Sequence, residues 1–135
     1  MKITSNFDSG NIEVLNMDSP DNIQLAIRKD NQSDFFQWFH FRLSTEHAQE
    51  HKLIITNASE SAYPDGWKDY QAVASYDRQT WFRVDTEYDG KALTIKHFPE
   101  AESVYFAYFA PYSYERHMDL LHQAQSDYNC QLVEL

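Results

Sequence analysis

The chain has 135 residues, 42% hydrophobic and 16% aromatic, which suits one domain whose core forms without disulfides or metal. Eleven Lys and Arg against 21 Asp and Glu leave a net charge of −10, shared evenly by the two halves, and the longest basic run is Arg28-Lys29. Phosphate backbones and anionic membranes need clustered cations, so this balance argues against both as partners.

Further exclusions come from particular residues. Cys130 stands alone, which rules out an internal disulfide and a Cys-rich zinc site. Met1 to Phe7 lacks the apolar core of a signal peptide, and no run reaches the ~18 apolar residues of a membrane span. A soluble protein in the reducing cytoplasm is the expected setting.

In chain order, the dominant period is two. Ser9-Gly10-Asn11 lies between two strand candidates. Asn22 to Arg28 alternates Ile23, Leu25 and Ile27 against Asn22, Gln24 and Ala26. Phe36 to Leu43 places Phe39, Phe41 and Leu43 on a buried face and Trp38, His40 and Arg42 on a polar-aromatic one. Leu53 to Thr56, Trp81 to Val84 and Leu93 to Lys96 are short strand-like runs. Ser103 to Ala110, nearly all aromatic and small residues, reads as a strand covered on both faces. Asp65-Gly66, Asp77 to Thr80 and Asp89-Gly90 have turn composition. These runs predict an all-β fold, an antiparallel β-sandwich over residues 1–112.

One C-terminal α-helix is expected over 113–128. Ser113 is its candidate N-cap, and Tyr114, Met118, Leu121, Gln125 and Tyr128 form its stripe. Residues 129–135 read as the start of a strand, either a final edge strand or the first strand of a following domain.

His47-Ala48-Gln49-Glu50-His51 matches a metalloprotease spacing, in which two His on one helical face hold zinc and a Glu polarises its water. The segment connects two strands and has no apolar helical stripe, so a hairpin connection is expected there and zinc is not. His40, His97, His117 and His122 are scattered, and Cys130 has no nearby base in sequence. The distinctive content is aromatic: residues 37–41, 66–70 and 105–114. A sandwich core absorbs about half of these rings, and the remainder suit an interface.

Taken in order, Phe7-Asp8-Ser9-Gly10-Asn11-Ile12, Gln37 to Arg42, Gly66-Trp67, Ser75-Tyr76-Asp77 leading to Trp81 to Val84, and Tyr105 to Tyr114 resemble the N-terminal domain of the cytosolic carboxypeptidases. That group is a subfamily of the M14 zinc metallocarboxypeptidases, and its bacterial members are the most similar. The resemblance covers residues 1 to about 131. It implies an antiparallel β-sandwich packed on a C-terminal α/β catalytic domain, which carries the zinc ligands and the catalytic Glu. No catalytic or metal residue and no cofactor is then expected in this chain, and zinc belongs to the absent domain. The parent activity implied is removal of C-terminal amino acids from peptides or proteins.

The expected role is a non-catalytic accessory domain whose partner is its own carboxypeptidase domain. Its candidate interdomain face comprises Asp8, Asn11, Trp38, His40, Arg42, Tyr108, Pro111, Tyr112, Tyr114 and Arg116. Arg42 and Arg116, stranded among aromatics, suit bidentate binding of carboxylates. In isolation, an exposed aromatic patch is expected to cause self-association. Two other readings stay open: a free-standing ligand- or protein-binding module using Trp38, Trp67 and Trp81, and an isolated hydrolase using His47, Glu50 and His51.

Overall fold

The computed structural model describes residues 1–7, 9–28, 38–61 and 64–111. The expected helix over 113–128, the expected strand over 129–135, and Asp8, Tyr112, Tyr114 and Arg116 lie outside the described residues.

Among the described residues, ten strands form two five-stranded sheets. They are β1 (Lys2–Thr4), β2 (Glu13–Ser19), β3 (Asn22–Ala26), β4 (His40–Ser44), β5 (His51–Ile55), β6 (Val73–Ser75), β7 (Phe82–Arg83), β8 (Asp85–Tyr88), β9 (Leu93–His97) and β10 (Ser103–Ala107). The first sheet has the order β1-β4-β10-β6-β7 and the second β2-β3-β5-β9-β8. Two 3-10 turns, Ala58–Glu60 and Pro64–Trp67, join β5 to β6.

The period-two pattern determines what each sheet buries. Phe39, Phe41, Leu43, Val104 and Phe106 from the first sheet meet Ile23, Leu25, Leu53, Ile55, Leu93 and Ile95 from the second in one apolar cluster. All eleven are completely buried. Each such side chain contributes about 1.5–3 kcal/mol on burial, so this cluster is what holds the sheets together. Trp67 closes the cluster beside Phe39 and donates its Nε1–H to Ala58 O and Ser61 Oγ, both at 2.9 Å.

The expected sheets are wholly antiparallel, whereas β3 and β5 pair in parallel. The cause is the route of the chain. After β3 it crosses to the first sheet for β4 and returns for β5, so two successive sheet changes leave β3 and β5 running the same way. The second sheet is therefore mixed.

The turns fall where composition placed them. Gly90 has φ +96°, the left-handed region that a side chain disfavours. Gly10 is needed for space: a Cβ there would lie 2.0 Å from the backbone oxygen of Ser5. Asp77 Oδ1 accepts the backbone N–H groups of Gln79 and Thr80, each at 2.9 Å, and so closes the turn before β7.

Candidate functional site

The outer face of the first sheet gathers the polar-aromatic positions. β4 turns Phe41 and Leu43 into the core, so His40 and Arg42 point outward. The register sets Arg42 beside Tyr105 on β10 and Thr4 on β1. His40 is nonetheless completely buried. Its cover is aromatic: Phe7 meets it edge-on at 4.7 Å between centroids, and Trp81, Trp38 and Tyr105 stand at 5.9, 6.0 and 6.1 Å.

The segment before β2 is tied to this face by hydrogen bonds. Ser9 has φ +63° and sets its Oγ 3.0 Å from His40 Nδ1, while Trp38 donates its Nε1–H to Ser9 O at 2.6 Å. Asn11 exchanges backbone bonds with His40 and donates through Nδ2 to Trp38 O at 2.9 Å and Arg28 O at 3.0 Å. Asn11, Trp38, His40 and Arg42, singled out from sequence, thus lie together. Tyr108 does not join them. It packs on the core side against Phe39, Trp67 and Tyr70, and Tyr70 donates its hydroxyl to Tyr108 O. Pro111 is buried.

Electrostatics keep His40 neutral. Burial, and then the nearby Arg78 cation, lower its pKa from 6.5 to about 4. Arg78, which sequence reasoning missed, and Trp81, which it offered only for a ligand-binding module, belong to the same face. Arg78 stacks its guanidinium over Phe7 at 5.6 Å and Tyr105 at 5.3 Å. Trp81 supplies an indole edge next to His40. The composition of Asp77 to Thr80 signalled a turn, and nothing local showed that the turn brings Arg78 back onto Phe7.

The His47 to His51 segment contains no helix. His51 opens β5, buried, with Nδ1 2.9 Å from Gln49 O and Nε2 2.9 Å from Thr45 Oγ1. A carbonyl only accepts, so Nδ1 carries the proton and Nε2 takes the Thr45 hydroxyl. Both nitrogens are used within the protein. Among the described residues no group of three His, Cys, Asp or Glu is placed to hold a metal. With both His51 nitrogens engaged, this part of the chain does not fit a zinc site. Trp67, one of the three Trp of the module reading, is completely buried and offers no ring to a ligand.

Among the described residues the exposed large apolar side chains are Val14, Leu15 and Phe98, on or beside strands of the second sheet. The aromatic face is half-covered rather than open. No helix among the described residues is long and apolar enough to cross a membrane.

Comparison with known proteins gives a consistent result. Residues 3–109 match the family model described as the cytosolic carboxypeptidase N-terminal domain. The crystal structure of a Burkholderia cenocepacia metallo-carboxypeptidase superposes with a TM-score of 0.80 at 54% identity, over 92% of this chain and 33% of that one. A Pseudomonas aeruginosa metallo-carboxypeptidase gives 0.81 at 49% identity, over 93% and 34%. An uncharacterised protein of Zymomonas mobilis is 53% identical over 121 residues, which is 90% of this chain and 32% of that protein. The chain spans about a third of the length of these relatives. With its all-β fold and this match across most of its length, the chain belongs to the cytosolic carboxypeptidase N-terminal domain family.

Proposed function

We propose that this chain is the non-catalytic accessory domain of a cytoplasmic zinc carboxypeptidase, a β-sandwich that supports folding of the catalytic domain and helps wall its substrate cleft. The parent enzyme removes C-terminal amino acids from peptides or proteins. Zinc and the groups that act on substrate belong to the two-thirds of such enzymes that this chain does not span. The observation that carries the reading is the family match over 3–109 combined with coverage of only a third of the metallo-carboxypeptidase relatives.

The docking face in this proposal is the outer face of the first sheet, centred on Asn11, Trp38, His40 and Arg42. Tyr108 supports it from the core side; Asp8, Tyr112, Tyr114 and Arg116, which lie outside the described residues, and the buried Pro111 remain candidates from the sequence alone. Half-buried aromatic bodies with polar tips suit such a contact. Co-expression with the catalytic domain tests the assignment. Trp38→Ala and Tyr112→Ala are expected to reduce its soluble yield and its activity. Unchanged yield and activity in both variants would show that the docking face lies elsewhere.

A further inference from the structure

The outer face of the first sheet holds more hydrogen-bond donors than acceptors. Among the described residues, three buried side-chain nitrogens lack a partner: His40 Nε2, Arg42 Nε and Trp81 Nε1. His40 and Arg42 are two residues apart on the outward side of β4, and the Trp81 ring lies 5.9 Å from that of His40. An orphaned buried donor loses its hydration with nothing in return, so three on one face need an explanation. Two of the three, the Arg42 and Trp81 nitrogens, can only donate.

Arg78 stands over the same place. Ser75 Oγ accepts the Arg78 backbone N–H at 2.8 Å, and Asp77 Oδ1 closes the turn around it. The residue is held at φ +64°, a strained backbone for a long side chain. From this backbone the guanidinium lies over the rings of Phe7 and Tyr105. Ser9, the His40 partner, is strained in the same way. Stacking uses the flat face of a guanidinium and leaves its edge of N–H donors for another group. In a chain with 21 acids and 11 bases, cations should easily find acidic partners. Yet the ion pair among the described residues is Lys96–Glu87, and neither Arg42 nor Arg78 takes part in one.

We infer that Arg78, with His40, Arg42 and Trp81 around it, is the receptor for one carboxylate side chain, an Asp or Glu of the catalytic part of the same polypeptide. The inference rests on the docking reading above and names its chemistry. A carboxylate accepts only, has about four lone-pair sites, and brings the negative charge that two unpaired guanidinium groups lack. A backbone carbonyl would satisfy one donor and leave the cations unpaired.

The test is charge reversal with rescue in the full-length protein. Arg78→Glu is expected to lower the unfolding temperature by about 5 °C at low salt, and less at high salt. In that background each Asp and Glu of the catalytic part is replaced by Lys in turn. Restoration of at least half the loss at one acid, and none at the others, supports the inference. Failure of every position to rescue overturns it. Should Arg78→Glu not fold, Arg78→Gln with Asp→Asn and Glu→Gln partners gives the same answer as a double-mutant cycle, and additivity at every acid overturns the inference. Trp38→Ala is measured beside them. If it destabilises the full-length protein while no acid couples to Arg78, the docking face stands and its carboxylate chemistry is wrong. If neither Trp38→Ala nor Arg78→Glu changes the full-length protein, both readings fall.

Discussion

His40 shows what a single residue discloses at each stage. Its place in an alternating run puts it on the face opposite Phe39 and Phe41, and the structure agrees. Its complete burial could not be read locally, because the cover comes from Phe7 and Trp81, far away in sequence. Burial has a measurable consequence. The folded-state pKa is about 4 against an ordinary 6.5, so between these values the unfolded chain binds the proton first. Stability is then full above about pH 6.5 and is lost progressively as pH falls toward 4, by up to about 3 kcal/mol for this residue. Burial also lowers His51 and His97, which add to the same trend. Urea unfolding at pH 7.5 and pH 5 should show the drop, and His40→Gln should make it smaller. Equal pH dependence in both proteins would mean that His40 is not held neutral.

Two other side-chain positions make sharp mechanical predictions. Gly10→Ala puts a methyl against the Ser5 backbone oxygen, which cannot swing aside as a side chain would. The turn that carries Ser9 to His40 must then shift, at a cost of about 1–3 kcal/mol in denaturant unfolding. Trp67→Phe keeps most of the ring but leaves Ala58 O and Ser61 Oγ without their indole donor. A loss of about 1–3 kcal/mol is expected, measured the same way.

At the scale of elements, the legible strands are those that alternate. β3, β4, β5, β9 and β10 each carry buried apolar residues at every second position, and each was visible as a run. β2 and β8 lie at the edges of the second sheet, and neither contains a completely buried position. β2 was expected only as a strand candidate without bounds after Ser9-Gly10-Asn11, and β8 not at all, because an edge strand need not alternate. The β3–β5 parallel pair was hidden for another reason: its direction follows from the chain's visit to the other sheet. Amide hydrogen exchange should follow the same division. Amides of β4, β5, β9 and β10 should exchange last, and those of the edge strands β2 and β7 first. Uniform exchange across both sheets would contradict the central placement of these strands.

For the whole molecule, the candidate site was half legible. Trp38, His40 and Arg42 came from the period of two together with the family resemblance, Asn11 came from the resemblance, and the fold brings the four together. Arg78 was missed, and Trp81 was read only as part of a ligand-binding module, because their place on this face depends on a turn folding back onto Phe7 and Tyr105. The aromatic surplus divides accordingly. Trp67, Phe39, Phe41 and Phe106 stock the core, while Phe7, Trp38, Trp81 and Tyr105 line the outer face of the first sheet. The four outer rings are half-buried.

The central claim is that this outer face is where the catalytic part of the enzyme docks. Hydroxyl-radical footprinting tests it most directly, because it reads side-chain exposure in solution. Modification is compared between the 135-residue chain and the full-length protein. The account predicts that Phe7, Trp38, Trp81 and Tyr105 become protected in the full-length protein, while Leu15 and Phe98, 52% and 54% exposed on other surfaces, react equally in both. Equal modification of the four aromatic residues in the two proteins would contradict it.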